Sequence, residues 1–144
     1  NRRIDMSLLE KLLSADIGVI TTEAKAELEV PRLTQLLGEP FIVELKELPF
    51  QQIEEARNFA TTGKGKHKVV DNGEFTCIVL SKTILTPDLS DRDLHQKFGV
   101  TNKLDCIKKL FKPGEIDLLA TKVFELSGYS DEAVKDIVEE AKNE

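Results

Sequence analysis

Helix start and stop signals follow one another after Pro87, and this series restricts the fold more than any other feature of the chain. Gly99 and Gly128 stand where a helix commonly ends in the left-handed conformation. Apolar side chains recur between these signals at spacings of three and four residues. The series predicts four helices, which begin at a capping residue or at a proline: Ser90 (in a capping box with Asp93), Thr101, Pro113 and Ser130. We therefore predict a helical part over residues 88–144.

The N-terminal part has a different periodicity. From Ala24 to Leu33, apolar side chains alternate with charged ones, which is typical of a half-buried strand. Pro31 is expected at the end of this strand, and residues 33–38 are expected to form a helical turn closed by a glycine. A second strand is predicted over Phe41-Ile42-Val43-Glu44-Leu45-Lys46. Residues 1–87 are therefore expected to form a mixed part that contains a small antiparallel sheet.

The stretch over residues 75–85 admits two structures. Its valine, isoleucine, threonine and phenylalanine content favours a strand, but an apolar run of this length also fits a buried helix. Asp71-Asn72-Gly73, just before it, predicts a tight hairpin turn. Pro49 predicts the start of a helix that continues to about Thr61. We expect the whole chain, residues 1–144, to form a single α+β domain with a helical C-terminal half.

Two amphipathic stretches near the chain ends are candidates for binding a partner. Ser7-Leu8-Leu9-Glu10 has the pattern of a capping box, and the helix that it opens is expected to end between Ser14 and Gly18. The apolar stripe of this first helix comprises Leu8, Leu9, Leu12 and Leu13. The stripe of the last helix comprises Val134, Ile137, Val138 and Ala141. Either stripe can dock against a partner helix, and packing in the core is the competing interpretation.

Charge is distributed unevenly along the chain. Residues 1–112 carry equal numbers of basic and acidic side chains, whereas residues 113–144 hold three lysines against nine acids and account for the net charge of −6. A neutral body with an acidic end is a poor match for nucleic acid, because nucleic-acid binding rests on neutralising phosphates. No apolar run approaches the roughly 20 residues that span a bilayer. We therefore expect neither a nucleic-acid partner nor a membrane partner.

Motifs for catalysis or metal binding are incomplete. Gly63-Lys64-Gly65-Lys66 lacks the Ser or Thr that completes a phosphate-binding loop, which favours a solvated basic loop. The acids that follow Asp88 fail the EF-hand calcium pattern, because the glycine at its sixth position is missing. His67 and His95 are too far apart in sequence to form a local zinc motif. We predict no cofactor, no metal and no enzymatic activity.

The cysteines and the first residues indicate a compartment. Cys77 and Cys106 are far apart, and each lies in an apolar stretch, which is typical of buried free thiols in a reducing cytoplasm. Residues 1–5 are not followed by the long apolar core of a secretory signal. We therefore expect the protein to be cytoplasmic.

An ordered series of short pieces covers most of the chain. The N-terminal part contributes Glu27-Leu28-Glu29-Val30-Pro31-Arg32-Leu33 and then Phe41-Ile42-Val43. The C-terminal half contributes Pro87-Asp88-Leu89-x-Asp91-x-x-Leu94, Phe98-Gly99-Val100, Leu110-Phe111-x-Pro113-Gly114-Glu115-Ile116-x-x-Leu119 and Leu126-Ser127-Gly128. No single piece is diagnostic, but the series in this order resembles the phage XkdN-like tail assembly chaperones. Residues 61–72 share no pattern with that family.

The resemblance implies an assembly factor without catalytic or metal-binding residues. Such proteins are encoded in phages and prophages just before the tape measure protein. They are expected to bind this long helical protein in the bacterial host cell and keep it soluble while the tail tube polymerises around it. A longer form of the chain itself, made by translational frameshifting, is a further expected partner, and the resemblance is compatible with a homo-oligomer. The competing hypothesis is a small cytoplasmic helical adaptor, or a protein-interaction module, of another pathway.

Overall fold

A computed structural model describes the backbone of residues 2–63, 66 and 68–142, together with the side chains of residues 7–63, 66 and 68–138. The first elements are, in chain order, α1 Arg2–Ser14, α2 Ile17–Ile20, β1 Lys25–Glu29, α3 Pro31–Leu37, β2 Ile42–Lys46, α4 Phe50–Phe59, β3 Thr61–Thr62 and β4 Val69–Val70. The others are α5 Asn72–Thr83, β5 Ile84–Thr86, α6 Arg92–Phe98, α7 Lys103–Leu110, α8 Pro113–Leu126 and α9 Asp131–Lys142. The predicted α+β class, with a helical C-terminal half, is confirmed.

The main sheet has the strand order β1-β2-β5, and both neighbouring pairs are antiparallel. In β1 the charged residues are exposed, whereas Ala26 and Leu28 are half-buried, so the predicted alternation is confirmed. The strand ends before Pro31, which opens α3, and Gly38 closes that helix in the left-handed conformation with a φ of 75°. The proline therefore limits the length of β1, because it favours a helix start over a continued strand.

Helix α5 differs most from the sequence predictions. Residues 75–83 are helical, and only Ile84–Thr86 continue as a strand. The predicted hairpin turn at Asp71-Asn72-Gly73 is wrong. Asp71 is instead the N-cap of α5, and its carboxylate accepts a hydrogen bond from the backbone N–H of Glu74 at 2.9 Å. A helix that is buried on most sides has apolar residues on most faces, so α5 lacks the periodicity that identifies an amphipathic helix.

Two helices of the C-terminal half begin one residue later than the capping patterns predict. The carboxylate of Asp91, rather than the expected Ser90 hydroxyl, accepts a hydrogen bond from the backbone N–H of Leu94 at 2.9 Å. Likewise, Asn102 caps α7 in place of Thr101. Asp and Asn are among the strongest capping residues, and the charge of an aspartate also suits the positive end of the helix dipole. The expected caps at Ser90 and Thr101 are therefore wrong.

The remaining helix starts divide between confirmed and corrected predictions. Pro113 starts α8 as predicted, and the Ser130 hydroxyl caps α9 by accepting from the backbone N–H of Ala133 at 3.2 Å. Helix α1 begins at Arg2, so the capping box expected from Ser7 is wrong, because that residue already lies inside the helix. Its end at Ser14 is as predicted.

The core lies where α5 packs against α4, α7, α8 and α9, and where α8 packs against the sheet. The rings of Phe75 and Phe124 stack with their centroids 6.0 Å apart, and the ring of Tyr129 meets Phe124 edge-on. The largest fully buried apolar side chains come from both halves of the chain: Phe75, Phe124, Leu45, Leu80, Leu89, Ile107, Leu119, Val43, Val79 and Val123. The strands and the helical half therefore share one apolar core.

Candidate partner-binding surface

Helices α1 and α2, together called the N-terminal arm, remain outside this core. All described side chains from Ser7 to Thr22 are exposed. The four leucines of the predicted stripe, Leu8, Leu9, Leu12 and Leu13, keep between 55% and 77% of their surface accessible. The described part of the chain therefore leaves this stripe uncovered.

Helical geometry places the four leucines on one side of α1. At about 100° per residue, they fall within an arc of roughly 140°. Ser7, Glu10, Lys11 and Ser14 occupy the opposite side. A helix with this division of side chains normally buries its apolar side against another element. In α1 that side is free for a partner.

Helix α2 extends the apolar surface of the arm. Ile17, Val19 and Ile20 are 50–72% exposed. Asp16 holds the start of this short helix, because its carboxylate accepts from the backbone N–H of Gly18 at 2.8 Å. These three side chains belong to neither of the predicted stripes. The sequence marks them only by a short apolar run, which has neither the alternation of a strand nor the length of a helical stripe.

The second predicted stripe lies in a different environment. Val134 and Val138 are only 3% and 8% exposed, and Ile137 is half-buried against the core. Helix α9 reaches these positions by packing on α5 and α8. The side chain of Ala141 lies outside the described residues. The structure therefore brings the described part of this stripe into the core and leaves the leucines of α1 apart from it.

Of the two histidines, only His95 lies among the described residues. The Nε2 atom of His95 lies 2.6 Å from the carbonyl oxygen of Leu89, so this ring is engaged with the backbone. His67 lies outside the described residues. Among the described residues, no group of three or more His, Cys, Asp or Glu side chains could hold a metal ion. Within the same residues, no helix combines the length and apolar character needed to cross a membrane.

A cavity of about 530 Å³ at the start of α5 is lined by acidic, basic, thiol and apolar side chains. Its lining includes Asp71, Glu74, Cys77 and Lys108. The ammonium of Lys108 lies 2.6 Å from the Glu74 carboxylate, and this hydrogen bond raises the lysine's pKa. Burial raises the pKa of the Cys77 thiol. Since a thiol must ionise to act as a nucleophile, this cysteine is not activated.

Both cysteines are buried and free, as predicted. Burial also raises the pKa of the Cys106 thiol. The two side chains therefore contribute apolar volume to the core.

The chain belongs to the phage XkdN-like tail assembly chaperone family, whose model matches residues 9–142. This membership supports a role in phage tail assembly and implies interaction with tail proteins. The chain is similar to the phage-like element PBSX protein XkdN of Bacillus subtilis (strain 168), with 29% identity over an alignment of 110 residues that covers 72% of this chain and 72% of that one. It also resembles the crystal structure of the protein YqbN, with a TM-score of 0.55 and 20% identity over 74% of this chain and 87% of that one. At that identity, the second likeness concerns the fold alone.

Proposed function

We propose that this chain is a non-enzymatic chaperone that binds the tape measure protein of a phage or prophage and keeps it soluble during tail tube assembly. Family membership supports the role in tail assembly. The exposed leucine stripe of α1 is the observation that most supports a helical client. A long helical client has apolar stripes of its own, which a second amphipathic helix can cover.

Burial of the leucine stripe provides the driving force for this contact. Transfer of one leucine side chain from water into an apolar contact contributes about 1.5–3 kcal/mol. In the free chain, Leu8, Leu9, Leu12 and Leu13 contribute little of this, because all four are exposed. Binding must offset the entropy lost when two partners associate, so several leucines acting together are needed.

The arm is also suited to adapt to its client. An isolated helix shorter than about 12–15 residues is only marginally stable in water, and α1 has 13 residues. A client that covers the leucines therefore adds the packing that stabilises such a helix. The proposal assigns no contact to Val134 and Val138, since both side chains fill the core.

The proposal locates this activity in the cytoplasm of the bacterial host cell. It also includes a frameshift-extended form of the chain as a further partner. That longer form carries the same arm, so it presents the same leucine stripe to the client.

Co-expression with the tape measure protein encoded beside this chain tests the proposal. We expect the chain to raise the soluble fraction of that protein and to elute with it on gel filtration. The variant Leu9→Ala/Leu13→Ala is expected to lose most of both effects, because it removes half of the stripe. Alanine has the highest helix propensity, so α1 itself is not weakened.

The matched control is Ser7→Ala/Lys11→Ala, which changes two residues on the polar side of the same helix. We expect this variant to solubilise the client as well as the unmodified chain does. The proposal fails if the tape measure protein aggregates equally with and without the chain. It also fails in its choice of surface if both double variants behave alike.

A further inference from the structure

We propose that two copies of this chain pair in antiparallel fashion through the outer edge of β1, joining their sheets across a two-fold axis. Strand β1 lies at the end of the strand order β1-β2-β5, so only one of its edges is paired within the described part of the chain. An open strand edge is a template for pairing with another chain. The occupant that we assign to this edge is a second copy of β1.

The hydrogen bonds between β1 and β2 show which backbone groups of β1 point to its open edge. The Val30 N–H donates to the Phe41 carbonyl oxygen at 3.0 Å, and the Ala24 carbonyl oxygen accepts from the Glu47 N–H at 2.9 Å. In an antiparallel pair, alternate residues of a strand point their N–H and C=O groups to the same neighbour. The even-numbered residues therefore bond to β2. Lys25, Glu27 and Glu29 direct their backbone groups to the open edge.

The sequence of β1 is complementary to itself when it is reversed. A two-fold axis through Glu27 places Lys25 of each copy opposite Glu29 of the other. Both side chains are exposed on the outer face of the sheet. Cross-strand pairs of opposite charge stabilise a sheet, and this arrangement contains two of them. The three residues whose backbone groups are open would form the hydrogen-bonded pairs.

On the face of β1 that points to the core, the side chains that would meet across the two-fold axis are complementary in size. The same axis places Ala26 of each copy opposite Leu28 of the other. Leu28 is half-buried and packs against the core, so part of its surface remains for a neighbouring side chain to cover. A small residue opposite a large one lets the two side chains pack without a clash. Pairing therefore covers apolar surface on one face and matches charges on the other.

One contact opposes the pairing, and it provides a test. The two Glu27 side chains lie directly opposite each other at the axis, and like charges in this position destabilise a sheet. A strand of unrelated sequence matches Lys25 and Glu29 only by chance, whereas a second copy of β1 matches them by symmetry. This match is why we assign the edge to a second copy.

Analytical ultracentrifugation of the full chain over a range of concentrations measures the pairing. We expect a reversible monomer–dimer equilibrium. Glu27→Gln removes the repulsion at the axis and keeps the backbone N–H, so the dimer should become about 1.5- to 5-fold tighter. Glu27→Pro removes an N–H that points to the open edge, a position where strands tolerate proline. This variant should be monomeric while its circular dichroism spectrum stays unchanged.

Charge exchange provides a second test that does not depend on proline. Lys25→Glu turns both cross-strand pairs into repulsions and should weaken the dimer at least about fourfold. Lys25→Glu/Glu29→Lys restores the opposite charges in reverse order and should recover most of the loss.

Several results would overturn the proposed pairing. A chain that is monomeric at every concentration contradicts it, as does a dimer that tolerates both Glu27→Pro and Lys25→Glu. Association that survives these changes but is lost in Leu9→Ala/Leu13→Ala assigns the contact to the arm. Failure of the double charge variant to recover the dimer also counts against the antiparallel register. Client binding is measured separately, by the solubility of the tape measure protein, so failure of the β1 pairing and failure of the client contact can be told apart.

Discussion

Arg32 connects the sheet region to the helical half. Its Nε and Nη2 atoms each lie 2.9 Å from an oxygen of the Glu115 carboxylate, and Nη2 also donates to the carbonyl oxygen of Leu110 at 2.8 Å. The hydrogen bonds from Arg32 hold the pKa of Glu115 below its ordinary value of 4.5, although partial burial opposes this shift. Glu115 also accepts from the backbone N–H of Lys112 at the start of α8. This carboxylate therefore secures a helix start and joins it to α3.

Glu115→Gln should lower the thermal unfolding midpoint at neutral pH. A carboxylate with a lowered pKa in the folded state stabilises that state above its ordinary pKa, and the contribution is lost as the pH falls through the lowered value. The difference between the two proteins should therefore be full at pH 7 and shrink progressively below about pH 4.5. Thermal scans over this pH range provide the measurement.

Glu125→Gln is the matched control for Glu115→Gln. The Glu125 carboxylate lies 3.8 Å from Lys122 in an exposed pair of the same helix, α8. Exposed pairs of this kind contribute little to stability. If both variants lose the same stability, or if the effect of Glu115→Gln is independent of pH, the assigned role of the Arg32 contact is incorrect.

At the level of single elements, helix caps determine where the helices begin. Asp71, Asp91 and Asn102 each accept a hydrogen bond from a backbone N–H of the first turn through a side-chain oxygen. The cap at Asp71 matters most for the fold, because it starts the central helix α5 at residues that otherwise suit a hairpin turn.

Asp91→Ala should destabilise the protein by about 1 kcal/mol, because it removes the cap of α6. Ser90→Ala should have little effect, although the sequence pattern favours Ser90 as the cap. Urea unfolding of the two variants measures the difference. Equal losses, or a larger loss for Ser90→Ala, would show that α6 does not rely on the Asp91 carboxylate in solution.

Local signals accounted for much of the fold. The alternation in β1, the proline start of α8 and the glycine end at Gly99 depend on short-range preferences, and each could be predicted from neighbouring residues. Helix α5 could not be identified in this way, because its apolar residues surround the helix and its environment is set by four other helices. The exact caps were missed because Ser90 and Asp91 are both good capping residues, and local sequence does not rank them.

The candidate surface could be predicted only in part, for a related reason. Apolar stripes on the first and last helices have the same periodicity in the sequence. Their burial differs because α9 has α5 and α8 to pack against, whereas the described side chains of the N-terminal arm remain exposed. Long-range packing therefore decides which stripe is buried. Val134 and Val138 enter the core, whereas the four leucines of the arm stay exposed.

At the scale of the whole molecule, the exposed leucine stripe and the excess of acidic residues lie on different elements. The leucine stripe belongs to α1, whereas the excess of acidic residues belongs to residues 113–144. In α9, Asp131, Glu132 and Asp136 are exposed while Val134 and Val138 face the core. Negative charge on elements other than the binding helix would repel other complexes and help to keep a bound apolar client in solution.

Hydrogen–deuterium exchange with and without the tape measure protein tests the proposed binding surface most directly. In the free chain, amides of the N-terminal arm should exchange rapidly, because α1 lacks packing on the core. On addition of the client, we expect exchange over residues 8–20 to slow strongly, whereas amides of α5 and α8 should change little. Protection that appears elsewhere while the arm still exchanges rapidly would contradict the role of the leucine stripe.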